Sequence, residues 1–425
     1  MTKPRTPLPR TLLWSLAGSL ALAPASFAQT VWTVDDDGGA AFTSIQAAVD
    51  AASDGDVIVV SDGSYAEFTL DGKGLAVLAD EAAAVVVQGT PGAVTTLVRN
   101  VPAGQRALLR GLTFAPSAQL FGRVLSIESC AGTVWIEDVA YVMPSTFPLF
   151  YFLAQEEATW VGDSAAVVFV GSTLPGADGA TPGQGNERGS VALRSENSAV
   201  FVHGCDLRTG ASLVETGTGR TGVFADGGLL VLRDSLVQGG TGGPEGLFGS
   251  SLPGDGGPGL TVEGGATVWS IGTTLQGGEG GFQFVAPPAE MGPPSVVLNG
   301  ALEERNADPA LLMTTSVVRD DVAEEDAVLD LQTEPGSAAV LAARLFDSAP
   351  LFVPGLPGFL GVGPAPILLP AGLTDATGAL SVSIGIPTLP PGLATWSATV
   401  QMGVATPAGR LELSNPSIFT VIDAP

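Results

Sequence analysis

Two aspartates and two arginines follow successive copies of one strand pattern, and alignment of the copies places the aspartates close together. Asp206 and Arg208 lie in HGCDLRTG, and Arg233 and Asp234 lie in LLVLRDSLVQGG. Hydrolysis of a glycosidic bond requires two carboxyl groups at a controlled separation. Elimination from an acidic sugar requires a strong base such as arginine and a cation that neutralises the sugar carboxylate. These four residues are candidate catalytic residues, with solvent-facing turn residues as the alternative.

Metal chemistry has one candidate location. Asp35, Asp36 and Asp37 precede two glycines, and such a cluster can bind calcium, which takes six to eight oxygen ligands. The cluster lacks the extended spacing of a calcium loop, and the alternative is a turn. His203 cannot form a conventional zinc site, because it is the sole histidine of the chain, and its slot in the repeat predicts a surface position. No other cofactor is predicted.

Aromatic residues crowd the interval that follows the second copy of the pattern. Tyr141, Tyr151 and Trp160 are candidate ligand-binding residues, because aromatic rings can stack on the faces of sugars. The alternative is a lateral hydrophobic cluster that covers one sheet.

The elements that position these residues repeat along the chain. Six phrases between residues 107 and 278 join a hydrophobic strand to a small residue and a turn, in steps of 27 to 38 residues. A unit of this length cannot bury its apolar face alone, so it must stack on its neighbours as a solenoid of about seven to nine coils. Alternation along the fourth phrase places Val200 and Val202 inward and Phe201 and His203 outward. The small or apolar slot is occupied by Leu112, Val139, Ser172, Cys205, Ser235 and Thr273.

Glycine-rich insertions follow the turns of successive coils, at 177–190, 209–222 and 239–259. Because they leave each coil at the same point, we expect them to pack along one edge of the solenoid.

The segment 42–67, FTSIQAAVDAASDGDVIVVSDGSYAE, contains a short helix that Thr43 or Ser44 caps, followed by a buried strand. It resembles the first coil of right-handed parallel β-helix proteins of the pectin-lyase-like superfamily. The resemblance implies that this helix closes the N-terminal end of the solenoid, and it admits a pectate-lyase-like or glycoside hydrolase activity. The Arg-x-Lys element of β-helix hydrolases is missing, because Lys73 is the only lysine beyond Lys3.

Composition indicates an exported protein. Residues 1–28 read as a signal peptide, with a basic start, an uncharged stretch and Ser26-Phe27-Ala28 before the cleavage point. The formal net charge is −26, and removing this segment, which has three basic residues and no acidic one, leaves −29. Such a chain is not expected to bind nucleic acid, and acidic polysaccharides would be repelled unless divalent cations bridge them. Cys130 and Cys205 are predicted to be buried thiols rather than a disulfide.

These observations predict an all-β protein with a signal peptide at 1–28, a parallel β-helix at 29–300, an acidic linker at 301–326 and a small β-sandwich at 327–425. The ending SNPSIFTVI resembles C-terminal modules of large secreted bacterial proteins. The predicted role is non-catalytic binding or structure outside the cell or on its surface, directed toward glycans or the cell envelope. A polysaccharide-active enzyme and an adhesin-like module are the alternatives.

Overall fold

The computed structural model divides the chain into two compact units. One comprises Thr33–Asp54 and Ile58–Asp308, and the other comprises Pro309–Pro425 with Met1–Trp32 and Gly55–Val57. The structure describes residues 29–80, 83–117, 122–143, 157–179, 189–212, 217–245, 252–282, 289–305, 317–319, 326–344, 349–352, 359–385, 389 and 395–422. The predicted signal peptide therefore lies outside the described residues. No helix in the described part is both long and apolar enough to cross a bilayer.

The first unit is a parallel β-solenoid of about 8 turns, as the repeat predicts. Each turn has three faces. The first face contains β4 (Phe68–Asp71), β7 (Thr96–Arg99), β10 (Leu125–Glu128), β13 (Glu157–Gly162), β15 (Val191–His203), β17 (Val223–Arg233), β19 (Leu260–Glu263) and β22 (Ser295–Val297). The last solenoid strand extends to Arg305, beyond the predicted limit at residue 300.

Strands β15 and β17 are long enough to turn the corner and continue into the second face. That face otherwise contains β1 (Val31–Val34), β2 (Val57–Val60), β5 (Ala76–Ala79), β8 (Arg106–Arg110), β11 (Thr133–Glu137), β14 (Ala166–Val170), β20 (Ala266–Ile271) and β23 (Gly300–Arg305). The third face contains β3 (Gly63–Ala66), β6 (Val85–Gln88), β9 (Leu112–Ala115), β12 (Ala140–Tyr141), β16 (Asp206–Arg208), β18 (Leu236–Gln238) and β21 (Thr274–Gln276).

The helix α1 (Ile45–Ala51) lies at the beginning of the solenoid and is tied to it by polar side chains. Ser44 is the N-cap, and its hydroxyl accepts from the Ala47 N–H. The side-chain amide of Gln46 pairs with the backbone of Thr69 in β4, accepting its N–H at 2.7 Å and donating to its carbonyl at 3.3 Å. Gln46 thus satisfies backbone groups of an end strand that would otherwise lack a partner on that side.

The slot predicted from the repeat is a column of side-chain hydrogen bonds inside the solenoid. Ser172 Oγ accepts the Val139 N–H at 3.2 Å, Cys205 Sγ accepts the Ser172 N–H at 3.4 Å, and Ser235 Oγ accepts the Cys205 N–H at 3.1 Å. Each side chain therefore links its coil to the preceding one. Cys130 and Cys205 are free, buried thiols, as predicted.

Sharp corners separate the faces. The residue at the corner between the second and third faces adopts positive φ in coil after coil, which favours Gly, Asn or Asp. These corner residues are Gly111, Asp138, Gly171, Gly204, Asp234 and Gly272.

The glycine-rich insertions pack against one another along one edge, as the sequence predicts. We call this the glycine layer; its described segments are 176–179, 209–212, 217–222, 239–245, 252–259, 277–282 and 289–294. Backbone hydrogen bonds join the segments, for example from Gly257 N to Gly240 O and from Gly278 N to Gly257 O, both 2.8 Å. Every third residue of one segment is exposed (Gln276, Glu279 and Phe282), which is the period of a polyproline-type extended chain.

The central strands of the second face are buried on both of their sides, contrary to the sequence prediction. Phe201 and His203, predicted to point outward to solvent, are each only 3% exposed. Alternation assigns a side chain to one side of a sheet but does not show whether that side is covered. The uninterrupted apolar runs in this face, such as AVVFV in β14, are typical of sheets buried on both sides.

The second unit contains a six-stranded sheet and two two-stranded sheets, in the region predicted to form a sandwich. Its strands are β24 (Val317–Arg319), β25 (Asp326–Gln332), β26 (Ala338–Arg344), β27 (Leu351–Phe352), β28 (Phe359–Leu360), β29 (Ile367–Leu373), β30 (Ala379–Gly385), β31 (Thr395–Ala405), β32 (Leu411–Leu413) and β33 (Ser417–Ile422). Leu329 and Val382 of the β25–β30 pair share one core with Leu341, Met402 and Phe419 of the larger sheet.

Candidate functional site

A pocket of about 290 Å³ opens where the first face meets the glycine layer. Strands of the first face contribute Glu157, Val191, Arg194, Phe224 and Thr261. The stretches that lead from the glycine layer into β17 and β19 contribute Arg220, Thr221 and Pro258. This volume lies just below the range of about 300–1,000 Å³ that is usual for small-molecule pockets, so the pocket has room for only a small group.

Three of the pocket residues of the first face, Arg194, Phe224 and Thr261, belong to one column across neighbouring coils. Ser126, Trp160, Arg194, Phe224 and Thr261 are consecutive partners in the parallel pairing of β10, β13, β15, β17 and β19. Neighbouring strands lie about 4.8 Å apart, so side chains of one column lie side by side. Arg194 is thus placed between Trp160 and Phe224.

Arg194 is held at its tip but not at its Nε atom. Its Nη2 lies 2.5 Å from Glu196 Oε1 and 3.8 Å from Asp226 Oδ2, and its guanidinium carbon lies 4.9 Å from the centre of the Phe224 ring. Within the described structure, Nε of Arg194 is buried and has no hydrogen-bond partner. Leaving a charged donor buried without an acceptor is unfavourable.

The opposite end of the pocket is fixed by a second arginine–carboxylate pair. Arg123 donates from Nε to Glu157 Oε1 at 2.7 Å, and its Nη2 lies 2.5 Å from the same oxygen. The Arg123 guanidinium lies over the Trp160 ring, 4.4 Å from its centre. The charge of Glu157 is therefore compensated by Arg123.

Trp160 lies against Gly162, where an added Cβ would be 2.5 Å from the indole ring. Since Arg123 also covers this ring, Trp160 supports the end of the pocket rather than offering a free face for stacking. Trp160 was predicted to bind a ligand, and the structure places it beside the pocket residues but not among them.

The remaining lining combines hydroxyl groups with apolar surface. Thr261 Oγ1 donates to Thr221 Oγ1 at 3.1 Å, and Thr221 Oγ1 donates to the Val223 carbonyl at 3.0 Å. Val191, Phe224 and Pro258 supply the apolar wall. A pocket with one apolar wall and a few fixed polar groups can bind a sugar unit by its C–H surface and its oxygens together.

The four predicted catalytic residues are not assembled into one site by the described contacts. Asp206 and Arg208 lie on the third face, where Arg208 Nε donates to Asp206 Oδ1 at 2.7 Å, and half of the Arg208 side chain is exposed. Asp234 lies at a corner, where its Oδ2 accepts from Arg233 Nε at 2.9 Å. Each aspartate thus interacts with the arginine of its own coil.

His203 lies beside the Arg233–Asp234 pair, with Nε2 3.9 Å from Asp234 Oδ2. Burial, together with the positive charge of Arg233, lowers the pKa of His203 to about 3, so the imidazole is neutral at neutral pH. Burial raises the pKa of Asp234, although Arg233 acts in the opposite direction. The predicted surface position of this histidine is wrong: it is a buried neutral side chain.

The other predicted residues also have defined places. Tyr141 is buried and its hydroxyl is 2.9 Å from Thr159 Oγ1, so its ring is not available to a ligand. Tyr151 lies outside the described residues. Asp35 Oδ1 accepts the Asp37 N–H, and Asp36 Oδ2 accepts the Ser64 N–H.

A calcium site at Asp35, Asp36 and Asp37 gains no support from the geometry. In the described part of the chain, no group of three or more His, Cys, Asp or Glu residues is arranged to hold a metal ion. The carboxylates of Asp35 and Asp36 bind backbone N–H groups of the turn and of β3.

The sequence prediction missed Glu157, Arg194, Arg220 and Phe224, although a signal for two of them exists. Trp160, Arg194, Phe224 and Thr261 are separated by 34, 30 and 37 residues, which are the same kind of steps as those of the repeated phrases. Aligning the strand before each phrase would have revealed this second column. Glu157 is the first residue of β13, and Arg220 lies in the glycine layer before β17, outside the column that these steps reveal.

Comparison with known proteins adds three distant structures. No protein-family model and no curated protein matches the chain, so membership of the pectin-lyase-like superfamily stays a prediction. Tailspike protein 2 of the Escherichia coli O157:H7 bacteriophage CAB120 is similar with 10% identity and a TM-score of 0.31, over 93% of this chain and 64% of that protein.

The other two structures are also tailspikes. The tailspike of Acinetobacter phage vB_ApiP_P1 has 10% identity and a TM-score of 0.22, over 84% of this chain and 82% of that one. The enzymatically active domain of bacteriophage CBA120 tailspike protein 2 has 10% identity and a TM-score of 0.21, over 89% and 73%. This chain thus spans less than two thirds of the full-length tailspike, and its fold is established by the strand pairing described above.

Proposed function

We propose that the protein is a secreted, non-catalytic glycan-binding solenoid, and that its pocket takes a saccharide unit that bears a carboxylate. The observation that carries this proposal is the convergence of Arg194 and Arg220 on one pocket, with Nε of Arg194 buried and lacking an acceptor. An arginine that meets a carboxylate forms short, charge-assisted hydrogen bonds, which are stronger than those between neutral groups.

The apolar wall favours a sugar acid over a small inorganic anion. Phe224, Val191 and Pro258 offer surface that an inorganic anion would not use, whereas the C–H groups of a sugar ring would pack on it. The chain's charge of −26 opposes acidic polymers at a distance. Beyond about 10 Å that repulsion is largely screened at physiological salt, whereas contacts inside the pocket are not.

A glycan array, run with calcium and with a calcium chelator, tests this proposal. The expected result is binding to oligouronates that persists in the chelator, with no binding to neutral oligosaccharides of equal length. Binding restricted to neutral glycans would overturn the assignment of an acidic unit. Absence of binding to any glycan would overturn the glycan-binding role itself.

An enzyme remains the second candidate because two carboxylates flank Arg194. Glu196 and Asp226 are partners on neighbouring strands, and both lie within 4 Å of Arg194 Nη2. A pair of carboxyl groups is the minimum requirement for glycoside hydrolysis. Incubation of the bound oligouronate with wild type and with Glu196→Gln, followed by assays for reducing ends and for unsaturated uronates, separates the two functions. Products that disappear in Glu196→Gln would establish the enzyme, and no products are expected for the binding protein.

A further inference from the structure

The glycine layer supplies one wall of the pocket. Arg220 and Pro258 belong to segments 217–222 and 252–259 of this layer, and both line the same pocket as Arg194 and Phe224. The position of Arg220 therefore depends on how these segments pack.

The backbone of Arg220 is held between two glycines of neighbouring segments. Gly240 donates its N–H to the Arg220 carbonyl at 2.8 Å. Gly257 packs against the same carbonyl so closely that an added Cβ would lie 2.1 Å from its oxygen. An added Cβ on Gly240 would lie 3.2 Å from the Arg220 nitrogen. Only glycine permits this approach from the Gly257 side, since real Cβ atoms do not come this near to a carbonyl oxygen.

The following residue is fixed as well. The Thr221 carbonyl accepts from Thr209 Oγ1 at 2.6 Å, and the Thr221 side chain donates to the Val223 carbonyl. The chain is thus anchored on both sides of the point at which the Arg220 side chain enters the pocket.

We infer that the glycine layer forms one wall of the binding site and that Gly257 is a positioning residue. Gly257 fixes the position of Arg220, and thereby the preference of the pocket for an acidic sugar unit. This inference rests on the proposed function, because it assigns the selectivity of the same pocket. It gives the glycine-rich insertions a role beyond spacing the coils, because they bring a charged side chain to the pocket that a charged side chain of the first face also lines.

Gly257→Ala and Gly281→Ala form a matched pair for the test. A Cβ on Gly281 would lie 1.7 Å from the Gly243 carbonyl oxygen, a clash of the same kind in the same layer, yet neither residue lines the pocket. Isothermal titration with a galacturonate hexamer is expected to show at least a tenfold loss of affinity for Gly257→Ala and less than a twofold change for Gly281→Ala. Equal losses in the two variants would overturn the inference.

A double-mutant comparison distinguishes positioning from general destabilisation. If Gly257 acts through Arg220, then Arg220→Gln combined with Gly257→Ala binds the hexamer as Arg220→Gln does alone. If the affinity losses of the two single variants add up in the double variant, Gly257 does not act through Arg220. If wild type binds no oligouronate, the proposed function fails; if wild type binds and Arg220→Gln weakens binding while Gly257→Ala does not, only the positioning role fails.

Hydrogen exchange on the wild-type protein provides a measurement that no folding defect can affect. On addition of the hexamer, the Gly240 amide, which donates to the Arg220 carbonyl, is expected to exchange at least threefold more slowly. The Gly281 amide, which donates to the Gly254 carbonyl, is expected to keep its rate. If the exchange rate of the Gly240 amide is the same with and without bound hexamer, the glycine layer does not form a wall of the binding site.

Discussion

Arg194 is suited to its role because two kinds of neighbour restrict it. Glu196 and Asp226 hold the tip of the guanidinium, and the Phe224 ring lies beneath it. A side chain that is fixed before binding loses little rotamer freedom when a ligand arrives. The same contacts leave Nε buried and without a hydrogen-bond acceptor.

Because His203 is buried and neutral, the free energy of unfolding is expected to fall as the pH is lowered. The unfolded chain takes up a proton at this histidine near pH 6.5, whereas the folded chain does so only near pH 3. Its contribution is therefore complete above pH 6.5 and is lost as the pH falls toward 3, by up to about 1.4 kcal/mol per pH unit. Urea unfolding at pH 6.5, 5.5 and 4.5 should show a shallower decline for His203→Asn than for wild type. Identical slopes would contradict the buried, neutral state of His203.

The hydrogen bond that Cys205 accepts predicts that its replacement by valine and by serine will have different effects on the free energy of unfolding. Cys205→Val removes the acceptor of the Ser172 N–H and leaves that buried group without a partner, which costs about 1–3 kcal/mol. Cys205→Ser is the control, because serine already fills the same slot at Ser172 and Ser235. We expect Cys205→Ser to exceed Cys205→Val in free energy of unfolding. A valine variant as stable as the serine variant would show that this hydrogen bond is unimportant.

Among the elements, α1 depends on a lysine that lies outside it. Lys73 Nζ donates to the carbonyls of Val49, Asp50 and Ala52 at 2.8, 3.1 and 2.7 Å. These carbonyls belong to the C-terminal end of the helix, where carbonyls lack intrahelical partners and positive charge is favourable.

Lys73→Met is expected to lower the free energy of unfolding by roughly 1–3 kcal/mol, since the side-chain length is kept but the charged donor is lost. Amides of α1 should exchange faster than in wild type, as hydrogen-exchange mass spectrometry would show. Lys73→Arg retains the charge and donors and is expected to be milder. If Lys73→Met leaves the exchange of α1 unaltered, the lysine is not needed to hold the helix.

Features that recur in every coil could be predicted from the sequence, whereas features that depend on how the coils stack could not. The slot of Ser172, Cys205 and Ser235 was visible in sequence because each coil presents the same inward position to its neighbours. The exposure of His203 was not, because alternation specifies the side of a strand and not what covers it. The pocket was missed because its residues come from several coils and from the glycine layer, and only their stacking brings them together.

At the scale of the whole molecule, the charged residues are distributed unevenly. The chain has 43 acidic and 17 basic residues, yet three arginines (Arg123, Arg194 and Arg220) lie in or beside one pocket. Under the proposed function, this local group, two of whose arginines are paired with Glu157, Glu196 and Asp226, selects its ligand by short-range contact rather than by long-range attraction. The first face of the solenoid supplies part of the pocket lining, and the glycine layer supplies the rest.

Titration of the galacturonate hexamer into wild type, Arg194→Gln and Arg208→Gln tests the central claim most directly. Arg194 lines the pocket, whereas Arg208 is an exposed arginine of the third face that is also paired with a carboxylate. Loss of a charged hydrogen bond of about 1.5–3 kcal/mol predicts a decrease in affinity of about 10-fold to 150-fold for Arg194→Gln. Arg208→Gln is predicted to bind as wild type does. Equal affinities for Arg194→Gln and wild type would contradict the assignment of the pocket as the binding site for an acidic sugar.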